Sequence, residues 1–255
     1  MTVRQVFYAL EVRGVVEKTE NGYRQVQTQV LAMRRQGLLD WSFITDGTRW
    51  QRKPTTWSSS EDYIKSVART YRRDLWRSQG LRIEVWLEKD ALADIVVDVT
   101  DAWDVSLMVS RGQSSATFLQ AAAKTAEQQY RADGTITQIY TMYDYDAGGE
   151  RASRTIARQL PDLAGKAPVI VHRLAVTDSQ IKDWDLPTRP PKKKDPEAAK
   201  WGDRPAVELD AISPDQLRDL VENAIVGHIY PHSWELEKAI EKEERAGLIA
   251  LAEAV

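Results

Sequence analysis

Ile139-Tyr140-Thr141-Met142-Tyr143-Asp144-Tyr145-Asp146-Ala147-Gly148-Gly149-Glu150 is the stretch on which the reading of this chain turns. It reads as a strand that runs out into an Asp-x-Asp loop and then a helix. Side chains alternate across a strand, so two carboxylates two residues apart at its end point the same way. Such a pair suits a hard divalent cation such as Mg²⁺, which takes oxygen ligands. Gly148 and Gly149 allow a tight turn and a close approach of backbone to a ligand. The same residues also fit a plainer role, an Asp-rich turn that caps the next helix. Glu150 is either an added ligand or an acid in the first helical turn, where the helix dipole favours it; the second reading is preferred.

Upstream lies Leu81-Arg82-Ile83-Glu84-Val85-Trp86-Leu87-Glu88-Lys89-Asp90-Ala91-Leu92, where alternating Leu81, Ile83, Val85 and Leu87 predict another strand that ends in an acid, Glu88. In an open α/β sheet, functional groups gather beyond the carboxyl ends of the strands, so Glu88 would meet Asp144 and Asp146 at one edge. The pattern predicts strands at 81–87, 104–109, 136–143 and 168–173, and helices at 90–99, 115–131 and 149–160. This alternation argues for an α/β fold with a mostly parallel sheet covered on both sides. Residues 185–205, rich in Pro, Lys and Asp and carrying Lys192-Lys193-Lys194, read as a long loop. Ser213 and Pro214 open a helix to about 226, and a last helix is expected over 233–254.

The front of the chain differs. Val3, Val6, Phe7 and Leu10 mark an amphipathic helix over 2–13 that Gly14 ends. A second helix is expected over 21–36, with Val26, Val30 and Met33 on one face. Leu39 to Ile44, a turn at Asp46-Gly47 and Thr48-Arg49-Trp50 suggest a hairpin. Helix, helix, hairpin is the outline of a winged helix (CAP-like), in which the second helix enters the major groove. Residues 51–60 read as a linker and 61–78 as a basic helix packing through Tyr63, Val67, Tyr71 and Leu75. Residues 1–80 carry 14 Lys or Arg against 8 Asp or Glu, and residues 81–255 carry 21 against 30. A basic module beside an acidic one suits double-stranded DNA next to a metal domain. Arg24, Arg34, Arg35, Arg49, Arg72 and Arg73 are the candidate DNA contacts; a solvated charged surface is the alternative. The expected organisation is 1–55 as the winged-helix module, 56–80 as a basic linker helix and 81–255 as the metal-binding domain with C-terminal helices.

Strand-Glu-Lys-helix followed by strand-Asp-x-Asp-x-x-Gly-helix resembles the Toprim domain of topoisomerases, primases and related nucleases. Between the two, Val109 to Leu119 carries a glycine-centred loop, around Gly112, placed as in the topoisomerase VI A branch. Thr2-Val3-Arg4-Gln5-Val6-Phe7-Tyr8 is similar to the Arg-x-x-Tyr-Tyr segment of that subunit and of the meiotic double-strand-break transesterase, with Phe7 at the first tyrosine and Tyr8 at the second. The likeness is greatest to the stand-alone Mini-A type, which lacks an attached ATPase. It implies Mg²⁺ (or Mn²⁺) held by Glu88, Asp144 and Asp146, a nucleophilic Tyr8 assisted by Arg4, a homodimer, and a separate ATPase subunit as partner. The activity implied is DNA strand cleavage through a tyrosine-phosphodiester intermediate. Two alternatives stay open: a Toprim nuclease that uses water, and a non-catalytic DNA-binding protein. From helical spacing alone, Tyr8 lies on the polar flank of its helix, one turn from Arg4; a half-buried packing tyrosine is the plainer reading.

Bulk properties remove several classes. The chain has 255 residues and no cysteine, so disulfides and thiolate metal sites are excluded. Its three histidines are scattered, and Pro231 separates His228 from His232, which argues against zinc. No apolar run approaches the ~20 residues of a membrane span, and Met1-Thr2-Val3-Arg4 is not followed by a signal-peptide core. The expected location is cytoplasmic, associated with the nucleoid.

Overall fold

The computed structural model describes residues 2–44, 54–191 and 201–254. The chain divides into two compact units, Met1–Thr55 and Thr56–Val255.

In the first unit, α1 (Val3–Val12) begins at Thr2, which forms a capping box with Gln5, and α2 (Glu20–Arg35) begins at Thr19, whose hydroxyl accepts from the Gly22 N–H. Each cap satisfies an N–H that the helix leaves without a partner. The two helices bury Phe7, Val26, Val30 and Ile44 together. A 3₁₀ turn, Trp41–Phe43, stands where the hairpin's first strand was expected, because the Asp40 carboxylate accepts from the Ser42 N–H at 2.7 Å and curls the chain. No strand occurs among the described residues of this unit. The rest of the expected hairpin, Arg49 included, lies outside the described residues.

The second unit is a mixed α/β layer structure. Four strands, β1 (Leu81–Leu87), β2 (Ser106–Val109), β3 (Ile136–Met142) and β4 (Val169–Ala175), form an all-parallel sheet in the order β2-β1-β3-β4. The helices are α3 (Ser60–Thr70), α4 (Ala93–Ala102), α5 (Ala116–Asp133), α6 (Ala147–Ala164), α7 (Asp178–Asp183), α8 (Pro214–Val226) and α9 (Pro231–Glu253). Alternate residues of β1 feed two cores. Ile83, Val85 and Leu87 pack with Val96 of α4, Leu217 and Val221 of α8, and Trp234 of α9. Trp86 turns the other way, to Leu119 of α5 and Ile156 and Leu160 of α6. A sheet covered on both faces needs apolar side chains on both, which is why β1 reads as nearly continuous hydrophobic sequence. Each such side chain contributes roughly 1.5–3 kcal/mol of burial. Glu84 is buried on the second face; its charge is met by Arg82 at 2.6 Å and by the Trp86 Nε1–H at 2.7 Å.

The basic helix expected over 61–78 stops at Thr70. Tyr71 is extended, and long-range anchors hold the residues that follow: Tyr71 Oη donates to Glu244 at 2.6 Å, and the Arg73 N–H donates to Glu241 at 2.9 Å. Tertiary partners outweigh local helix propensity here. The packing face differs too: Ala68 is the buried residue of α3, whereas Tyr63 is exposed and meets Trp57 edge-on. Residues 56–80 are therefore part of the second unit, tied to α9, rather than a linker. Among the described residues, no helix is long and apolar enough to cross a membrane.

Candidate metal centre

Parallel strands β1 and β3 are neighbours, although β2 intervenes in sequence. The chain steps from β1 to β2 on one side and returns to β3 on the other, so the topological switch point lies between β1 and β3, where α/β sheets leave a crevice at their carboxyl ends. Glu88 follows β1, and Asp144 and Asp146 follow β3. The strand order brings all three acids to that edge. The Glu88 N–H donates to the Met142 carbonyl at 3.0 Å, and Glu88 Oε2 accepts from the Asp144 N–H at 2.9 Å, which lashes the two strand ends together.

Asp144 is almost wholly buried. Its Oδ1 accepts from the Leu209 N–H at 2.8 Å and lies 3.0 Å from Lys89 Nζ. The same ammonium bonds Asp210, a fourth acid. Asp146 is the N-cap of α6, its Oδ1 accepting from the Gly149 N–H at 2.9 Å, and its Oδ2 lies 3.4 Å from Arg189. Asp146 thus meets the capping role and stands at the acid edge as well. Glu150, in the first turn of α6, pairs with Arg173 at 3.4 Å.

Arg173, near the end of β4, organises the loop. Its guanidinium donates to the carbonyls of Asp144 (2.8 Å), Tyr143 (3.2 Å) and Val176 (3.0 Å). Burial acts to lower its pKa from the usual arginine range, and the surrounding acids oppose that shift. Lys89 is also driven toward neutrality by burial, but Asp144 and Asp210 outweigh this and raise its pKa.

The donor set suits a hard cation: oxygen ligands alone, on neighbouring strand ends. Burial first, and then the charges of Asp144 and Asp146, push the Glu88 carboxyl above its ordinary range, while the Asp144 N–H and Lys89 oppose the shift. Among the described residues, no three acid or imidazole groups converge as a finished ligand set. Lys89 supplies the counter-charge at Asp144 instead.

A pH prediction follows from Glu88. A group whose folded-state pKa lies above its unfolded value lends stability below the unfolded pKa and loses it as pH rises through the folded one. Ionised Glu88 therefore costs stability at neutral pH. Glu88→Gln, which keeps an acceptor for the Asp144 N–H, should melt higher than wild type at pH 7 in chelator. The gap should close as pH falls below the ordinary carboxylate range, and equal melting temperatures at pH 7 would refute the strain.

The remaining sequence candidates are placed as follows. Arg4 is exposed on α1. Tyr8 is half-buried, its ring 5.5 Å from that of Phe7, with the Lys18 ammonium 5.5 Å from its centre. Arg24 pairs with Glu20 at 2.7 Å and Arg35 is exposed, both on α2. Three arginines expected to meet DNA bind within the fold. Arg34 donates to the carbonyls of Trp41 and Ile44. Arg72 donates to the Asp101 carbonyl at 2.6 Å. Arg73 is held by Glu237 and Glu244 of α9. Lys192, Lys193 and Lys194 lie outside the described residues. A polar cavity of about 220 Å³, lined by Asp74, Arg77, Arg82 and Asp104 among others, opens at the opposite, amino-terminal edge of the sheet, away from the acids.

Asp210, Arg173 and Arg189 were not foreseen as site residues. An arginine inside a largely apolar strand could have drawn notice to Arg173. Nothing local marks Asp210.

Comparison of the chain with protein-family models, with curated proteins and with solved structures found no match.

Proposed function

We propose that the protein cleaves DNA phosphodiesters with a divalent cation held by Glu88, Asp144 and Asp146, in the manner of a topoisomerase VI A subunit. The observation that carries this is the arrival of three acids, from two neighbouring parallel strands, at the switch point of the sheet. When bound, Mg²⁺ neutralises charge on the phosphate and stabilises the leaving oxygen. Glu88, Asp144 and Asp146 are the residues that would hold it, and Arg173 fixes the backbone of the loop that carries two of them. The first unit supplies Tyr8 as nucleophile. Its hydroxyl oxygen forms a bond to phosphorus, the bond to the strand's sugar oxygen breaks, and that oxygen leaves with a proton. The bond energy is kept in a phosphotyrosine ester, so resealing needs no ATP. The family likeness adds a homodimer and a separate ATPase partner to this proposal.

One observation favours a second reading, hydrolysis by water. Tyr8 is half-buried and packs its ring against the α1–α2 core, as a structural tyrosine would. Incubation of supercoiled plasmid with protein and Mg²⁺ or Mn²⁺, with and without protease before the gel, separates the two. A tyrosine mechanism gives DNA that enters the gel only after proteolysis. Tyr8→Phe should then abolish the adduct and lower cleavage by about 10³-fold or more, of the size seen when a nucleophile is removed. Its DNA affinity should hold within about twofold of wild type, about 0.4 kcal/mol. Cutting by Tyr8→Phe at the wild-type rate would instead identify water as the nucleophile.

A further inference from the structure

Lys89 and Asp210 stand at the acid edge with no part in the reaction as proposed, and their geometry gives them one. Lys89 Nζ is 3.0 Å from Asp144 Oδ1 and also bonds Asp210. Both carboxylate side chains are only 8% exposed, whereas the lysine is 25% exposed. The Asp144 carboxylate is fixed by backbone, pinned by the Leu209 N–H, and Asp210 stands beside it on the short 3₁₀ turn Leu209–Ala211, whose first residue makes that bond. The lysine reaches them on a flexible four-carbon stem. Of the three partners, the ammonium is the one free to move.

A divalent ion that takes Asp144 would compete with the ammonium for the charge of one carboxylate, whose Oδ1 the lysine already meets. Two cations at such separation repel by several kcal/mol even under the moderate screening of a protein surface. Removing the lysine with no replacement would leave two nearly buried carboxylates facing each other, which is costly.

We propose that Lys89 is a tethered counter-cation of the metal centre. It neutralises Asp144 when no divalent ion is bound, and it withdraws to Asp210 when one arrives. Asp210 is then the resting place of the displaced ammonium rather than a metal ligand. This rests on the reading of Glu88, Asp144 and Asp146 as the ligand set.

The test is calorimetric titration of the full chain with Mn²⁺, with no DNA and no cleavage to score. Lys89→Met, which removes the competitor, should tighten Mn²⁺ binding by about tenfold or more, about 1.4 kcal/mol. Asp210→Asn in the native background should weaken it severalfold, because the ammonium is left with Asp144 alone. In the Lys89→Met background, the same Asp210→Asn change should alter affinity by less than about twofold. Equal or weaker binding by Lys89→Met overturns the proposal. So does an Asp210→Asn effect of equal size in both backgrounds, which would make Asp210 a ligand. Should Lys89→Met fail to fold, Asp210→Asn alone decides: unchanged affinity overturns the proposal. No Mn²⁺ heat in the wild type or any variant is a different failure, that of the metal centre itself.

Discussion

Asp144→Asn combined with Asp146→Asn is expected to lower Mg²⁺-dependent strand cleavage by about 10³-fold or more, with little change in DNA affinity. The size follows from the task. A bound cation contributes several kcal/mol of charge stabilisation in phosphoryl chemistry, and each ~1.36 kcal/mol is tenfold in rate. Asparagine is the better substitution, because both carboxylates also serve the fold. Asp144 accepts from the Leu209 N–H and Asp146 caps α6 through the Gly149 N–H. An amide oxygen can take over each bond, whereas alanine would strand a buried donor at a cost of about 1–3 kcal/mol. Read from sequence, the acids look like ligands that the fold can spare; the structure corrects that, since both are largely buried. The check is plasmid cleavage against Mg²⁺ concentration, beside thermal melting of the same samples. Cleavage at the wild-type rate by a folded double variant would remove the metal assignment and the proposed function with it.

The acids were legible because strands announce their ends. Alternation over Leu81 to Leu87 predicts β1 at its observed bounds, and the acid falls at the next residue. The Ser213 cap and Pro214 likewise place the start of α8. That Glu88 lies beside Asp144 is not written in either segment alone. It depends on β1 and β3 being adjacent, and strand order is set by which helix covers which face rather than by any local pattern. Asp210 was illegible for a related reason, since its bond to Lys89 spans 121 residues. The basic front is harder to read. Arg72 and Arg73 look like phosphate contacts by composition; Arg72 also donates to the Asp101 carbonyl, Arg73 is held by carboxylates of α9, and Arg34 donates within its own unit. Charge counts cannot distinguish a solvated guanidinium from one with a partner far along the chain.

Gly149→Ala tests how rigidly the acid loop is held, and its expected effect on stability is the largest of any single substitution considered. A Cβ built on Gly149 would lie 2.1 Å from the Asp144 carbonyl oxygen and 3.0 Å from its carbon. Both are backbone atoms, so no side chain can swing aside. The turn itself would have to move, against the Arg173 bond to that same carbonyl at 2.8 Å. Helix propensity alone favours alanine by ~1 kcal/mol, and overpacking typically costs about 1–3 kcal/mol, occasionally more. With backbone as the obstacle, the clash should win, leaving a net loss of about 2 kcal/mol or more. In a unit of this size that lowers the melting temperature by roughly 4–8 °C. Gly247→Ala is the internal control. Nothing lies within 4 Å of its Cβ, and it sits in α9. There the propensity term acts alone and should stabilise by about 0.5–1 kcal/mol. Because the displaced turn carries Asp144, Gly149→Ala should also weaken Mn²⁺ binding, whereas Gly247→Ala should leave it unchanged. A Gly149→Ala protein as stable as the Gly247→Ala protein would mean that the loop yields freely, and that Arg173 does not set the geometry of the acids.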